Sequence, residues 1–241
     1  MQISNTNNNK VSFSSYYNRI KPFKVQTSNG VVQFSEINYK HRPKISFFKK
    51  LTAFFVDNFA KTSSDPEWVR CRPESNDPDM YKNVIAELTK FYQVSSKNKH
   101  STILVGRDSE NNIVSAIYAG PLREGPTVKD SKVLFIDSIA VDPKYRGSNI
   151  GSVILNKVME SSKKGFTDVF LVAFREALPF YKKMGFKPVV PRTSSQEFVV
   201  SALAYERPDY PEYVEFVTKP LNRSESLNWF SRIFNRAIPK Y

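Results

Sequence analysis

The spacing of apolar residues changes several times along the chain, and each change marks an element. Val31–Tyr39 alternates apolar and polar positions loosely, as a half-buried strand does. From Ile45 the period lengthens: Phe47, Phe48, Leu51, Phe54, Phe55 and Phe59 recur at steps of three and four, which predicts a helix with one face to bury. Lys61–Asn76 carries two prolines and reads as a loop. Asp77 followed by Pro78 starts a second helix, because the carboxylate accepts from free amides and the ring presets the first turn. Val84, Ile85, Leu88, Phe91 and Tyr92 supply its inner face.

The period then shortens to that of strands at Thr102–Gly106 and Ile113–Ala119, joined by the polar stretch Arg107–Asn112 at hairpin spacing. Gly120–Lys132 is a loop by its glycines and prolines. Val133–Val141 is apolar except for Asp137 and Ser138, as a central strand covered on both faces would be. A helix over Ile150–Lys163, a strand over Asp168–Ala173, a helix over Ala177–Met184 and short strands at Lys187–Val190 and Tyr213–Lys219 follow. Between those two strands Ser194–Glu197 has the form of a capping box, with a helix over Phe198–Leu203. An apolar stripe from Leu227 to Ile238, beside Arg232 and Arg236, makes a last amphipathic helix over Glu225–Ile238. The order predicts an α/β (α+β) fold on one mixed sheet, without internal repeats.

Composition adds bounds. The 241 residues suit one enlarged domain, here 31–221, with a flexible basic leader over 1–30 and an extension over 222–241. No apolar run approaches the ~18 residues of a membrane span. Cys71 is alone, and with His41 and His100 it leaves too few soft ligands for a zinc site, so no metal is expected. A reducing, cytoplasmic setting fits, although the Asn- and Ser-rich start also resembles the leaders of exported bacterial effectors.

The net charge of +13 is unevenly placed: Met1–Lys50 holds nine Lys or Arg against Glu36, and Lys219–Tyr241 holds five against Glu225. Basic ends on a nearly neutral middle suit an acidic partner surface such as nucleic acid or anionic membrane, or serve only as solubilising arms.

The chemistry concentrates where the central strand gives way to a helix. Arg146-Gly147-Ser148-Asn149-Ile150-Gly151-Ser152 gathers unpaired amides, the positive end of a helix dipole and a fixed cation at one point. Such a point takes an anion, and a diphosphate is a suitable guest. A plain connection between strand and helix would read the same way.

The surroundings resemble the GNAT superfamily of acetyl-CoA-dependent N-acetyltransferases. The family turn is Arg or Gln, two residues, Gly, one residue, Gly or Ala; Arg146, Asn149 and Gly151 stand at those places, with Asn149 departing at the first glycine. Ile139-Ala140-Val141 before it is similar to the strand end that pairs with the pantetheine arm. Ala177-Leu-Pro-Phe-Tyr181-Lys-Lys-Met-Gly185-Phe186 is similar to the second signature, and Val214–Leu221 to the closing strand.

The resemblance covers roughly Val31–Leu221 and implies a mostly antiparallel twisted sheet flanked by helices. It also implies acetyl-CoA as co-substrate, direct attack by an amine of a protein or small molecule, and a cradle over Ile139–Val141 and Arg146–Ser152. Tyr181 is then the acid that protonates the leaving thiolate. A base is still required, for which Asp137 is the first candidate and Glu176 a weaker one. Phe174 stands where many members have an Asn that bonds the cofactor. Alternatives from other classes are an acyl-CoA-binding module without turnover, and a binder of nucleic acid or anionic membrane through the basic ends. Glu206, Asp209, Glu212 and Glu215, with Tyr205, Tyr210 and Tyr213 interleaved, form either a cation-holding cluster beside the acceptor or a solvated loop.

Overall fold

The computed structural model describes residues 20–37, 40–41, 43–72, 74–75, 77–122, 132–188, 209 and 212–221. Eight strands in these residues form one sheet: β1 (Phe23–Thr27), β2 (Gly30–Ile37), β3 (Thr102–Arg107), β4 (Ile113–Pro121), β5 (Val133–Val141), β6 (Asp168–Phe174), β7 (Lys187–Pro188) and β8 (Val214–Pro220). Their spatial order is β1-β2-β3-β4-β5-β6-β8-β7. Neighbours pair antiparallel except β5 with β6, which run parallel. That one parallel pair needs a crossover, which α4 (Ile150–Ser162) supplies.

Helices cover both faces. On one side α1 (Ile45–Thr62) and α3 (Pro78–Ser95) pack Phe48, Leu51, Phe55 and Tyr92 against Ile103 and Val105 of β3 and Ala116 and Tyr118 of β4. On the other, Ile154, Leu155 and Val158 of α4 bury against Leu104, Ile117, Leu134 and Ile136. The alternation of β3, with Leu104 to one core and Ile103 and Val105 to the other, places each residue by the pleat alone. Asp77 caps α3 as its position before Pro78 predicts, its Oδ1 accepting from the Met80 amide at 3.0 Å.

Two elements were not expected. Phe23–Thr27, inside the stretch read as leader, is a strand in a hairpin with β2, and Phe23 stacks on Phe34 with ring centres 4.7 Å apart. Within the expected loop 61–76 lies the short helix α2 (Pro66–Arg70), capped by Asp65 accepting from the Glu67 amide at 3.0 Å. The expected helix over Ala177–Met184 is shorter, α5 (Leu178–Lys183), after a 3-10 turn at Arg175–Ala177. The capping box at Ser194–Glu197, its helix, Glu206, Tyr205, Tyr210 and the helix over Glu225–Ile238 lie outside the described residues.

The sheet is irregular at its centre. Tyr118 of β4 pairs with Ser138 and the next residue, Ala119, pairs with Ile136, so Asp137 is an extra residue, a bulge. A bulge bends its strand and re-aims its side chain. The parallel ladder with β6 ends at the same level, on the pair Ile136 and Leu171. Beyond it β5 continues to Val141 and β6 to Phe174 with no pairing between them.

Candidate active site

The parted strands open a cleft of about 1160 Å³, lined by β5 from Phe135 to Val141, by Val172 and Phe174 of β6, and by residues of α1, α2, α3, α4 and α5. Its cradle end is built by the turn between β5 and α4. Gly147 has φ +81 and Asn149 φ +62, so two left-handed residues swing the chain round into the helix. No side chain caps α4, and its first backbone bond runs from the Val153 amide to the Asn149 carbonyl at 3.0 Å. The amides of Asn149, Ile150, Gly151 and Ser152 therefore have no hydrogen-bond partner among the described residues. A Cβ on Gly151 would lie 3.4 Å from the Phe180 ring, so the chain leaves little room there for more.

Asn149 holds a left-handed conformation that most residues resist. Asn149→Gly should raise the melting temperature slightly, and Asn149→Ala should lower stability by about 1 kcal/mol. Equal melting temperatures in the two variants would show the turn to be unstrained.

Arg146 is exposed at the rim, and its guanidinium is engaged by protein. Nε donates to the Val141 carbonyl at 3.1 Å, and Nη2 to Thr62 Oγ1 at 3.0 Å and Asn58 Oδ1 at 3.4 Å. These bonds tie the turn to the last turns of α1. Lys183, at the end of α5, also lines the cleft.

At the splay point Asp137 lies in the cleft wall. Ser138 Oγ donates to its Oδ2 at 2.7 Å, and the Tyr92 hydroxyl stands 2.6 Å from Ser138 Oγ. Because the serine proton is committed to the carboxylate, Tyr92 must be the donor to the serine, and the three side chains form a directed chain. Burial pushes the Asp137 carboxyl up to about 6, against the opposing pull of the Ser138 hydrogen bond. Burial, and then the nearby Asp137 charge, hold the Tyr92 phenol well above its ordinary range.

Tyr181 also lines the cleft. Its ring is buried, edge-to-face with Phe180 at 5.1 Å and Phe186 at 5.7 Å, and burial raises its phenol above the usual value. Glu176 is differently occupied: its Oε1 accepts from the Ser64 amide at 2.8 Å. Burial pushes that carboxyl up, but its hydrogen bonds, chiefly to Ser64, bring it below the ordinary range, which suits a strut better than a base.

Residues 64–186, spanning both the cradle and Tyr181, match the sequence model of the Acetyltransferase (GNAT) family. The chain belongs to that family. The GNAT resemblance of the two motifs thus holds, as does the mixed, mostly antiparallel sheet flanked by helices. A glucosamine 6-phosphate N-acetyltransferase of Trypanosoma brucei brucei is 40% identical over 53 residues, which are 22% of this chain and 36% of that protein. The match thus spans about a third of that relative's length.

Among solved structures, PaiA N-acetyltransferase of Thermoplasma acidophilum in complex with coenzyme A has a TM-score of 0.46 at 14% identity, over 78% of this chain and 98% of that one. A GNAT-family acetyltransferase of Streptococcus pneumoniae has a TM-score of 0.49 at 14% identity, over 78% and 99%.

Of the residues singled out from the sequence, the cleft lining brings together Asp137, Ile139, Ala140, Val141, Arg146, Gly147, Asn149, Ile150, Gly151, Ser152 and Tyr181. Ser148 lies in the same turn, its amide bonded back to the Tyr145 carbonyl at 3.4 Å. Phe174 also lines the cleft, packed on Phe59 and Trp68. Of the acidic and tyrosine cluster, Glu212 offers its carbonyl to Arg175 Nε at 2.6 Å, and the Arg175 amide donates to the Tyr213 carbonyl at 3.0 Å. Tyr92, Ser138, Asn58 and Thr62 had no sequence signal as site residues beyond helix and strand membership.

Proposed function

We propose that this GNAT-family protein transfers an acetyl group from acetyl-CoA to a primary amine by direct attack. The observation that carries the reading is the coincidence, in one cleft, of a carboxyl raised to about 6 at the splay point and a cradle of free amides at the turn into α4. The donors of the cradle fit a diphosphate: they are neutral N–H groups at a helix start, with Arg146 supplying charge at the rim. Bound there, acetyl-CoA would supply an activated thioester; the chain's own residues supply position and proton traffic.

Asp137 accepts the proton that the amine loses as its nitrogen bonds to the acetyl carbon, and Ser138 and Tyr92 steady the carboxylate by hydrogen bonds. Tyr181 gives a proton to the sulfur as the carbon–sulfur bond breaks, and proton exchange with water then restores both groups. The test is thiolate release from acetyl-CoA with a panel of primary amines, products identified by mass spectrometry. Release that every amine leaves at the background rate would reduce the protein to a binder of acyl-CoA.

Arg146 gives a binding prediction. Arg146→Glu is expected to weaken CoA at least about tenfold, since it places a negative charge beside the phosphates and breaks the tie to α1. Arg146→Lys keeps the charge and loses the planar fork, so its loss should be smaller. Calorimetry of both variants measures this; an unchanged dissociation constant for Arg146→Glu would remove the guanidinium from the phosphate site.

A further inference from the structure

The cleft has a wall that the transfer chemistry does not use. Phe59 of α1, Trp68 of α2 and Phe174 of β6 meet edge-to-face, with ring centres 5.2 Å apart for Phe59 and Trp68, 5.7 Å for Phe59 and Phe174, and 6.2 Å for Trp68 and Phe174. All three line the cleft and are only half-buried, so part of each ring faces it. The wall is continuous with the relay to Asp137: Phe59 stacks on Phe55 at 5.7 Å, and Phe55 packs on Tyr92 at 5.4 Å. Leu88 of α3 lines the same cleft. Three mutually perpendicular rings make an apolar corner with exposed faces.

The charges around the cleft limit what occupies it. Among the described lining residues the charged side chains are Asp137, Arg146 and Lys183. Arg146 belongs to the cradle turn, where Thr62, Asn58 and the Val141 carbonyl engage it, and Lys183 ends α5. An acceptor with a phosphate or carboxylate near its nitrogen would bring that anion toward the like charge of Asp137. An acceptor whose amine is carried on an aromatic or alkyl group presents a cation to Asp137 and apolar surface to the rings.

We propose that the acceptor is an arylalkylamine-like primary amine, its ring or alkyl group held by Phe59, Trp68 and Phe174 and its nitrogen delivered to Asp137. This proposal rests on the acetyl-transfer reading. Its test uses the full chain with acetyl-CoA and three acceptors: 2-phenylethylamine, a phosphorylated amino sugar and free lysine. Phenylethylamine should be favoured in kcat/KM at least a hundredfold over the amino sugar phosphate. Trp68→Ala should raise its KM at least tenfold while the KM for acetyl-CoA is unchanged. Phe59→Leu repeats the test at a ring outside α2, so that a misfolded Trp68 variant does not leave the question open.

Calorimetry of phenylethylamine with the CoA-loaded protein separates the two readings. Saturable binding that Phe59→Leu weakens, without any acetyl product, would uphold the aromatic compartment and sink the transfer reading. Preferred turnover of the phosphorylated amino sugar or of lysine would overturn the proposed acceptor class and leave acetyl transfer standing. Neither binding of phenylethylamine nor turnover of any amine would overturn both.

Discussion

Asp137→Asn is expected to lower amine-dependent thiolate release by about 10²–10⁴-fold, the usual contribution of a positioned base. The amide keeps the shape of the side chain and its hydrogen bond to Ser138, so CoA binding should be unchanged. In the wild type kcat/KM should rise with pH through about 6, the value to which burial pushes this carboxyl, and that limb should vanish in the variant.

A second consequence separates base catalysis from a packing role. The Asp137 pKa is raised from 3.8 to about 6, so the folded protein holds this proton more tightly than the unfolded chain. Its contribution to stability is complete below about pH 4 and is lost as pH rises through 6. An Asn at this place does not ionise and escapes that loss. Relative to the wild type, Asp137→Asn should gain about 2 kcal/mol between pH 4 and pH 7, with allowance for water reaching the cleft. Denaturant unfolding at both pH values measures the gain; a difference that does not change with pH would mean an ordinary carboxyl and a different base.

Much of this frame could be read from the chain because it is local. The run Val133–Val141 is β5 to the residue, and the helix predicted from Ile150 starts there. Asp77 and Pro78 begin α3 through contacts within three residues. Local signals also mislead by omission. Phe23 and Val25 alternate as a strand should, but stand among basic and polar residues with no second apolar face. Only pairing with β2 explains them. α2 is five residues long and begins at a proline, so its composition is that of a loop.

The site was half legible for the same reason. The cradle is one contiguous turn, and its two left-handed residues are a Gly and an Asn, the types that tolerate such angles. The bulge that aims Asp137 is a relation between two strands and leaves no mark on either. Tyr92 lies 46 residues from the Ser138 it bonds, and Arg146 lies 88 and 84 residues from Asn58 and Thr62. Periodicity assigned Tyr92 to a helix's inner face correctly, and it is the same burial that makes its hydroxyl a fixed donor.

Tyr181→Phe should lower kcat by about 10²-fold and leave the dissociation constant for CoA unchanged. The ring is held edge-to-face by Phe180 and Phe186, and Phe keeps both contacts, so stability should shift by less than about 1 kcal/mol. Burial keeps the phenol protonated across the neutral range, which is the state an acid toward sulfur requires. A merely structural role would slow all thioesters alike, whereas an acid matters less when the leaving thiol is already acidic. Acetyl thioesters with progressively lower thiol pKa should therefore recover rate in Tyr181→Phe faster than in the wild type, and the two plots of rate against leaving-group pKa should converge. Parallel plots would make Tyr181 a packing residue and assign the proton delivered to sulfur to water.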